Sequence, residues 1–579
     1  MRPTTRLYRS VLIASALVSS LAFAQGTAVV TGIVTDAATS KPVPDVVITA
    51  TSSALQGEEV VVTDSSGLYR LAQLPAGVYT LKLEKESFKP YSRTDINVRT
   101  DRTVRVNIQL QPEAVQGDTV VVVGRPPTVD IGSTTTGINV GKDFINNIAF
   151  IQPNGSGVRS FESLASVAPQ VIADEYGYGF SGAQSPENLY LVDGVSTSDP
   201  AFGTNGAQFP VEFVEEANVI TGGYMAEYGR ATGGVLNVVT KSGSNEFHGM
   251  VWGNWSPGAL QGTPKTIDSA ASSILLQGKL LNTIDFGAQV GGPIIKDRLW
   301  FFVGFAPSFN WDQTTRSLRA FQDVTDPVTG EVTETNPIVP GSTRTREEPT
   351  RAFSYIAKLT FLINADNNLS LSVVGSPSSA EIPFSFSERR STANGWKGGS
   401  ITTADTNTLS LRYQGGFLDK HLLLDASVGW LRLRSAALPN DGSGFTNKAG
   451  DGTAAGTPAV IFRRTRPIAA YETLTAEGAA LCSSPDTSCP GSVNGGDTYT
   501  VGGFGFLQDA TLDRIQGRAS ATFLFQGLGH HIIKAGLDIE HLRYDLKKAY
   551  TGGFILRENG TGTRFDDYRQ YGYFTGPDE

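Results

Sequence analysis

Beyond Ala24 the chain has no apolar run approaching the ~20 residues that cross a bilayer as a helix, so a helical membrane protein is excluded. Cysteine and histidine are equally sparse, two and five among 579 residues. Cys482 and Cys489 share the polar stretch LCSSPDTSCP with no histidine nearby in sequence, which leaves a zinc site short of ligands. In an oxidising compartment the two thiols are expected to pair as a loop disulfide. No H-E-x-x-H helix occurs, and the 56 acidic residues contain no recognisable acid–base pair, so no residue stands out as catalytic and no cofactor or metal is expected. The net charge of -9 argues against a general nucleic-acid binder, which needs a basic patch to displace counterions from phosphates.

What is present begins with Arg2, Arg6 and Arg9 before VLIASALVSSLAFA, ending in Ala22-Phe23-Ala24. A basic n-region, a short apolar core and an A-x-A site mark residues 1–24 as a secretory signal peptide. An exported chain without membrane helices is either a soluble secreted protein or a barrel of strands. Glycines cluster in AEYGRATGGVLNVVTKSGSNEFHG, from Ala226 to Gly249, which invites a phosphate-loop reading. That reading fails, because Gly234 is followed by the β-branched run VLNVVT rather than by Lys and Ser or Thr opening a helix.

Residues 26–112 read as short strands with a turn signal every ten or so residues, the pattern of a small β-sandwich. GIVTDAATSKPVPDVVIT with TDSSGLYRLAQLPAGVYTLKL resembles the carboxypeptidase-regulatory-like, transthyretin-type domain, which implies a non-catalytic module. Residues 113–130 follow as a linker enclosing the apolar run Val120 to Val123. Such a run is either an ordinary strand or an extended peptide offered to a partner's sheet edge. Asp118, Thr119, Val120, Val121 and Val122 resemble the TonB box, the segment captured by an inner-membrane energy-coupling protein.

NLYLVDGVSTSDP, from Asn188 to Pro200, and the stretch from Val211 to Gly249 are similar to the plug domain of TonB-dependent receptors. With the preceding sandwich and GAQVGGPIIKDRLWFFVGF, from Gly287 to Phe305, the chain resembles the Oar-like branch of that superfamily, with residues 131–243 as plug. It has Ser181-Gly182 where many such plugs carry Arg-Gly, so the resemblance carries no plug-to-wall ion pair to that position.

From residue 244 the chain is read as the first part of a transmembrane antiparallel barrel, so that the fold class is mostly β: sandwich, α+β plug and partial barrel. Spanning strands must alternate lipid-facing and lumen-facing residues, with short turns on one side and long loops on the other. Strands are expected near 246–256, 284–294, 299–309, 351–363, 369–376, 406–417, 421–434, 513–526, 530–547 and 566–575. Trp311 to Thr350 is read as a loop. Tyr355, Ala357, Leu359, Phe361 and Ile363 oppose Lys358 and Thr360, while Ile515, Ala519, Ala521, Phe523 and Phe525 share one face. The aromatic run LWFFVGF is expected in an interfacial girdle. About ten strands contrast with the 22 of large outer-membrane transporters, so a receptor truncated within its barrel, with open strand edges, is expected.

The resemblance implies energised uptake rather than catalysis, in the outer membrane with the N-terminal domain in the periplasm. The expected partners are a TonB-type energy-coupling protein, outer-membrane lipid and an unidentified extracellular ligand, a siderophore, oligosaccharide or peptide. Tyr176, Tyr178, Phe180, Phe202 and Asn205 are the candidate ligand-facing residues of the plug loops, although a loop tip also serves to pack on the wall. Glu227 and Arg230, beside Gly229, are the candidate plug–barrel contact, or else solvated charges. Two rivals are a structural or adhesive protein of the same architecture, and a secreted hydrolase with an accessory sandwich.

Overall fold

The computed structural model describes residues 28–569 except 53–54, 56–57, 75–76, 99–102, 113–134, 149–159, 263–273, 365, 383–398, 419–420, 463–467, 469–471, 490–498, 527–529 and 560–563. The signal peptide and the segment Asp118 to Val122 lie outside the described residues.

Turn-punctuated alternation between Ala28 and Leu110 yields two facing four-stranded sheets. In one, Ala28–Asp36 is flanked by Leu68–Leu74 and by Thr103–Arg105 with Ile108–Leu110. The other runs Glu58–Val62, Val47–Thr51, Gly77–Glu84, Tyr91–Val98. In Gly77–Glu84 the residues Tyr79, Leu81 and Leu83 all point inward, and the core they join contains sandwich residues alone. Tyr69 resolves the cost of a buried hydroxyl by donating to the Val106 carbonyl at 2.6 Å.

The next domain is a five-stranded mixed sheet, ordered Val195–Ser196, Leu189–Val192, Val235–Thr240, Val214–Gly222, Thr136–Gly141. VLNVVT is thus a central strand, parallel to LYLV and antiparallel to VEEANVITG, as its β-branched content requires. The glycines of the opening cluster permit close backbone approach. A side chain on Gly234 would overlap the Phe180 ring, and one on Gly243 would overlap the Phe301 carbonyl.

A ten-stranded antiparallel sheet curves around this domain. It runs His248–Pro257, Ile274–Ile295, Leu299–Leu318, Arg344–Asn364, then Asn367–Gly375 continued by Ser378–Ile382, then Ser400–Phe417, Leu422–Pro439, Phe506–Gln526 and His530–Tyr550. Among the described residues the two end strands do not pair with each other, so the sheet is open. Leu359, Leu371 and Leu411 stand in cross-strand register and are 41%, 39% and 44% exposed, whereas their neighbours Lys358, Ser372 and Ser410 are buried. The outer face is therefore apolar, and the inner face polar, as lipid outside and a packed lumen inside demand.

Several expectations need correction. The ladder between Leu299–Leu318 and Arg344–Asn364 continues to Arg316 opposite Arg344, well into the stretch read as a loop. Backbone pairing places no demand on side-chain polarity, so strands outrun the apolar band. The last expected strand, near 566–575, is not part of the wall where it is described: Phe565–Arg569 pairs with Ile555–Glu558 in a separate four-stranded sheet. Within LWFFVGF, Trp300 and Phe302 are fully buried on the inner face and only part of the run looks outward, because alternation sends every second ring into the lumen.

Candidate functional site

Charged side chains bridge the seam between the five-stranded domain and the curved wall at several points. Asp193 ends the strand LYLV in the left-handed region, at φ 48, followed by Gly194 at φ 82. The tight turn aims its carboxylate at the wall. There Oδ1 accepts from Lys358 Nζ at 3.0 Å and from the Thr240 amide at 3.1 Å, and Oδ2 accepts from the Thr240 hydroxyl at 2.6 Å. Lys358 completes its shell with the Thr240 carbonyl at 3.2 Å and hydroxyl at 3.1 Å. Burial alone would raise the Asp193 pKa, but the Lys358 ammonium and the Thr240 hydrogen bonds outweigh it and hold the carboxyl below the usual range. The result is a desolvated, fully bonded ion pair joining two domains.

Ser196, on the short strand after that turn, meets the wall through neutral and cationic groups. Its amide donates to Gln516 Oε1 at 3.0 Å, its carbonyl accepts from Gln516 Nε2 at 2.9 Å, and Arg514 Nη1 donates to its hydroxyl at 2.9 Å. Glu227 pairs with Arg518 at 3.1 Å and with Lys534, while Arg230 pairs with Glu540 and, at 3.6 Å, with Asp538. The Arg230 side chain is 56% exposed, so this contact is far wetter than the Asp193 pair. The structure thus brings Glu227 and Arg230 against neighbouring parts of the last two wall strands. Ser181, where Arg is common in similar domains, donates instead to the Thr221 carbonyl at 2.8 Å, inside its own domain.

The candidate ligand-facing residues separate into two groups. Tyr176 and Phe202 are 59% and 66% exposed on loops. Tyr178, Phe180 and Asn205 are buried, the first two in the plug core, which corrects their reading as ligand-facing. Asn205 is turned inward because its amide serves a buried acid, Glu162, with Nδ2 to Oε2 at 3.4 Å. Burial without a cation pushes the Glu162 carboxyl up to about 7, with Tyr190 and Asn205 opposing the rise and Asp174 adding to it. Its Oε1 is buried with no hydrogen-bond partner among the described residues.

A gap of about 980 Å³ separates the two domains along the last wall strands, lined by Asn188, Asp199, Arg230, Arg514, Lys534 and Glu540 among others. Above the wall, the long connections fold into small sheets and a short helix, Ala476–Ser483. Cys482 and Cys489 are joined there, with Cα atoms 5.5 Å apart. Among the described residues no cluster of three or more His, Cys, Asp or Glu side chains could hold a metal ion.

Sequence reasoning missed Asp193, Lys358, Ser196, Arg514 and Gln516. One signal was available: Lys358 is the single cation on the lumen side of the stretch 351–363, and such a charge needs a partner within the barrel.

Comparison with known proteins adds three family matches. Residues 29–111 match the carboxypeptidase regulatory-like domain, 155–235 the TonB-dependent receptor plug domain, and 239–320 an outer membrane beta barrel domain. The chain is 46% identical over 98% of its length to the TonB-dependent transporter Oar of Myxococcus xanthus, and spans 55% of that relative. Among solved structures it is similar to the outer membrane transporter YddB of Escherichia coli, at 14% identity and TM-score 0.47, covering 75% of this chain and 52% of that one. It is also similar to the siderophore receptor PirA of Acinetobacter baumannii, at 15% identity and TM-score 0.42, covering 70% and 48%. The plug and barrel matches place the chain in the outer membrane.

Proposed function

We propose, for a chain similar to TonB-dependent receptors, that it is the N-terminal part of a receptor for energised uptake of an extracellular ligand, with residues 26–112 in the periplasm, 131–243 as plug and the wall from 244 onward. The observation that carries this reading is the seam. Beside an apolar contact with Phe302, Ala306, Ile356 and Val374 of the wall, the plug is held by discrete polar contacts, Asp193 with Lys358 and Ser196 with Arg514 and Gln516. Polar contacts of this kind exchange for water when pulled apart, so a plug so held is suited to being remodelled by force and reseated.

The force would enter through Asp118 to Val122, offered as an added strand to a TonB-type protein. Tyr176 and Phe202 are exposed plug residues suited to ligand contact, the rings supplying apolar area and the phenol a hydrogen bond. Deleting Asp118 to Val122 in the full-length parent should abolish uptake and leave ligand binding at the cell surface intact. Unimpaired uptake would overturn the assignment of that segment.

A further inference from the structure

Along the last wall strands the plug–wall gap extends from Gly203 and Leu542, on the long-loop side, to Leu423, Leu524 and Ile532, beside the closely joined strand ends. The N-terminal sandwich enters its lining through Val29, Arg70 and Thr103. The Arg70 guanidinium contributes a buried Nε with no hydrogen-bond partner among the described residues.

A second observation shows the sandwich seated on the rim itself. Between the pairs Ala28–Leu74 and Val30–Leu71 the register shifts, and within that bulge Gln73 adopts a left-handed backbone at φ 62. A bulge re-aims a side chain out of its ladder, and a non-glycine residue at positive φ is a strained choice that surrounding structure must hold. The re-aimed Gln73 amide reaches Gly416, the residue before Phe417 at the end of a wall strand. A Cβ built on Gly416 would lie 2.9 Å from Gln73 Oε1 and 3.1 Å from Nε2. The absence of a side chain at 416 leaves room for the Gln73 amide.

We infer that the N-terminal sandwich is an exit gate: seated at Gly416 through Gln73, it covers the tight-turn end of the plug–wall gap and must undock before a solute leaves on that side. The identity of the moving solute rests on the uptake reading above; the docking and the occlusion do not. The gap's own charges are largely paired across it, Glu227 with Arg518 and Arg230 with Glu540, so the sandwich is the element whose displacement opens the end without breaking those pairs.

The test uses the full-length parent receptor carrying Gln73→Cys and Gly416→Cys, treated with a short bis-thiosulfonate cross-linker that reductant cleaves. The expected result is a joined peptide pair containing residues 73 and 416, with energised uptake reduced at least tenfold while linked and restored on cleavage, and surface ligand binding unchanged. Failure of the link to form, or undiminished uptake by the linked protein, overturns the gate. A readout independent of transport uses Gly416→Trp, whose ring displaces Gln73. Hydroxyl-radical labelling of Leu423 and Leu524 should rise at least threefold over wild type, and unchanged labelling in a folded variant overturns the occlusion. Absence of energised uptake in the untreated receptor, alongside link formation and increased labelling, removes the transport reading while sustaining the gate.

Discussion

The sandwich and the plug are both small β domains, yet they close their cores differently. Every buried residue of the sandwich core lies between Ala28 and Leu110. The plug core, by contrast, is completed by Phe302, Ala306, Ile356 and Val374 of the wall. One domain buries its apolar faces against itself, whereas the other leaves a face that only the wall covers. A domain of the second kind owes part of its stability to its container, and its container in turn has a filled lumen.

The largest expected effect follows directly. Residues 26–112 expressed alone should give a dispersed amide NMR spectrum and a single cooperative thermal transition. Residues 131–243 alone should give neither. A well-folded isolated plug would erase the contrast.

Next in size is the buried seam pair. Lys358→Ala should destabilise the refolded protein in detergent by about 3 to 5 kcal/mol, because it strands the Asp193 carboxylate away from water. Adding Asp193→Ala should recover part of that loss, and a strictly additive double variant in urea unfolding would show that the two do not form one unit.

Glu162 tests the plug's interior. Its folded pKa of about 7 lies above the ordinary 4.5, so its contribution is fully present below about pH 4.5 and is lost as pH rises through about 7. Plug stability should therefore fall across that window by at most about 3 kcal/mol, at 1.36 kcal/mol per unit. Glu162→Gln should flatten the profile, and an unchanged slope in that variant would assign the pH dependence elsewhere. Smallest of all, Arg230→Ala should cost less than about 1 kcal/mol, since a pair with one side chain 56% exposed is screened by water. A loss as large as that of Lys358→Ala would mean that the wet and dry contacts are energetically alike.

Much of the architecture was legible because lipid and lumen impose a two-residue period that sequence displays openly. Tyr355, Ala357 and Leu359 against Lys358 and Thr360 is the same division in the sequence and in the wall. Strand ends were not legible, since ladders such as Arg316 opposite Arg344 continue through polar residues that carry no periodic signal. The site was legible only in part. Tyr176 and Tyr178 are two residues apart in a glycine-rich stretch, Tyr176 in the bend and Tyr178 opening the short strand Tyr178–Phe180, and nothing in the sequence distinguishes the exposed ring from the buried one. Their fates are decided by what packs against the loop, the buried cluster around Glu162 and Asn205.

From the sequence came the expected export signal, the order of sandwich, plug and wall, and the lipid-facing side of the strands near 351–363 and 513–526. The export signal rests on composition, the domain order on local motifs that resemble a known family, and the strand faces on a two-residue repeat, and none of these depends on which distant residues meet. Only the tertiary structure decided that Asp193 meets Lys358, 165 residues away, and that Gln73 reaches Gly416. The physical reason is that a buried charge or a docked side chain is stable only where a partner from another element satisfies it, and chain order does not reveal that partner.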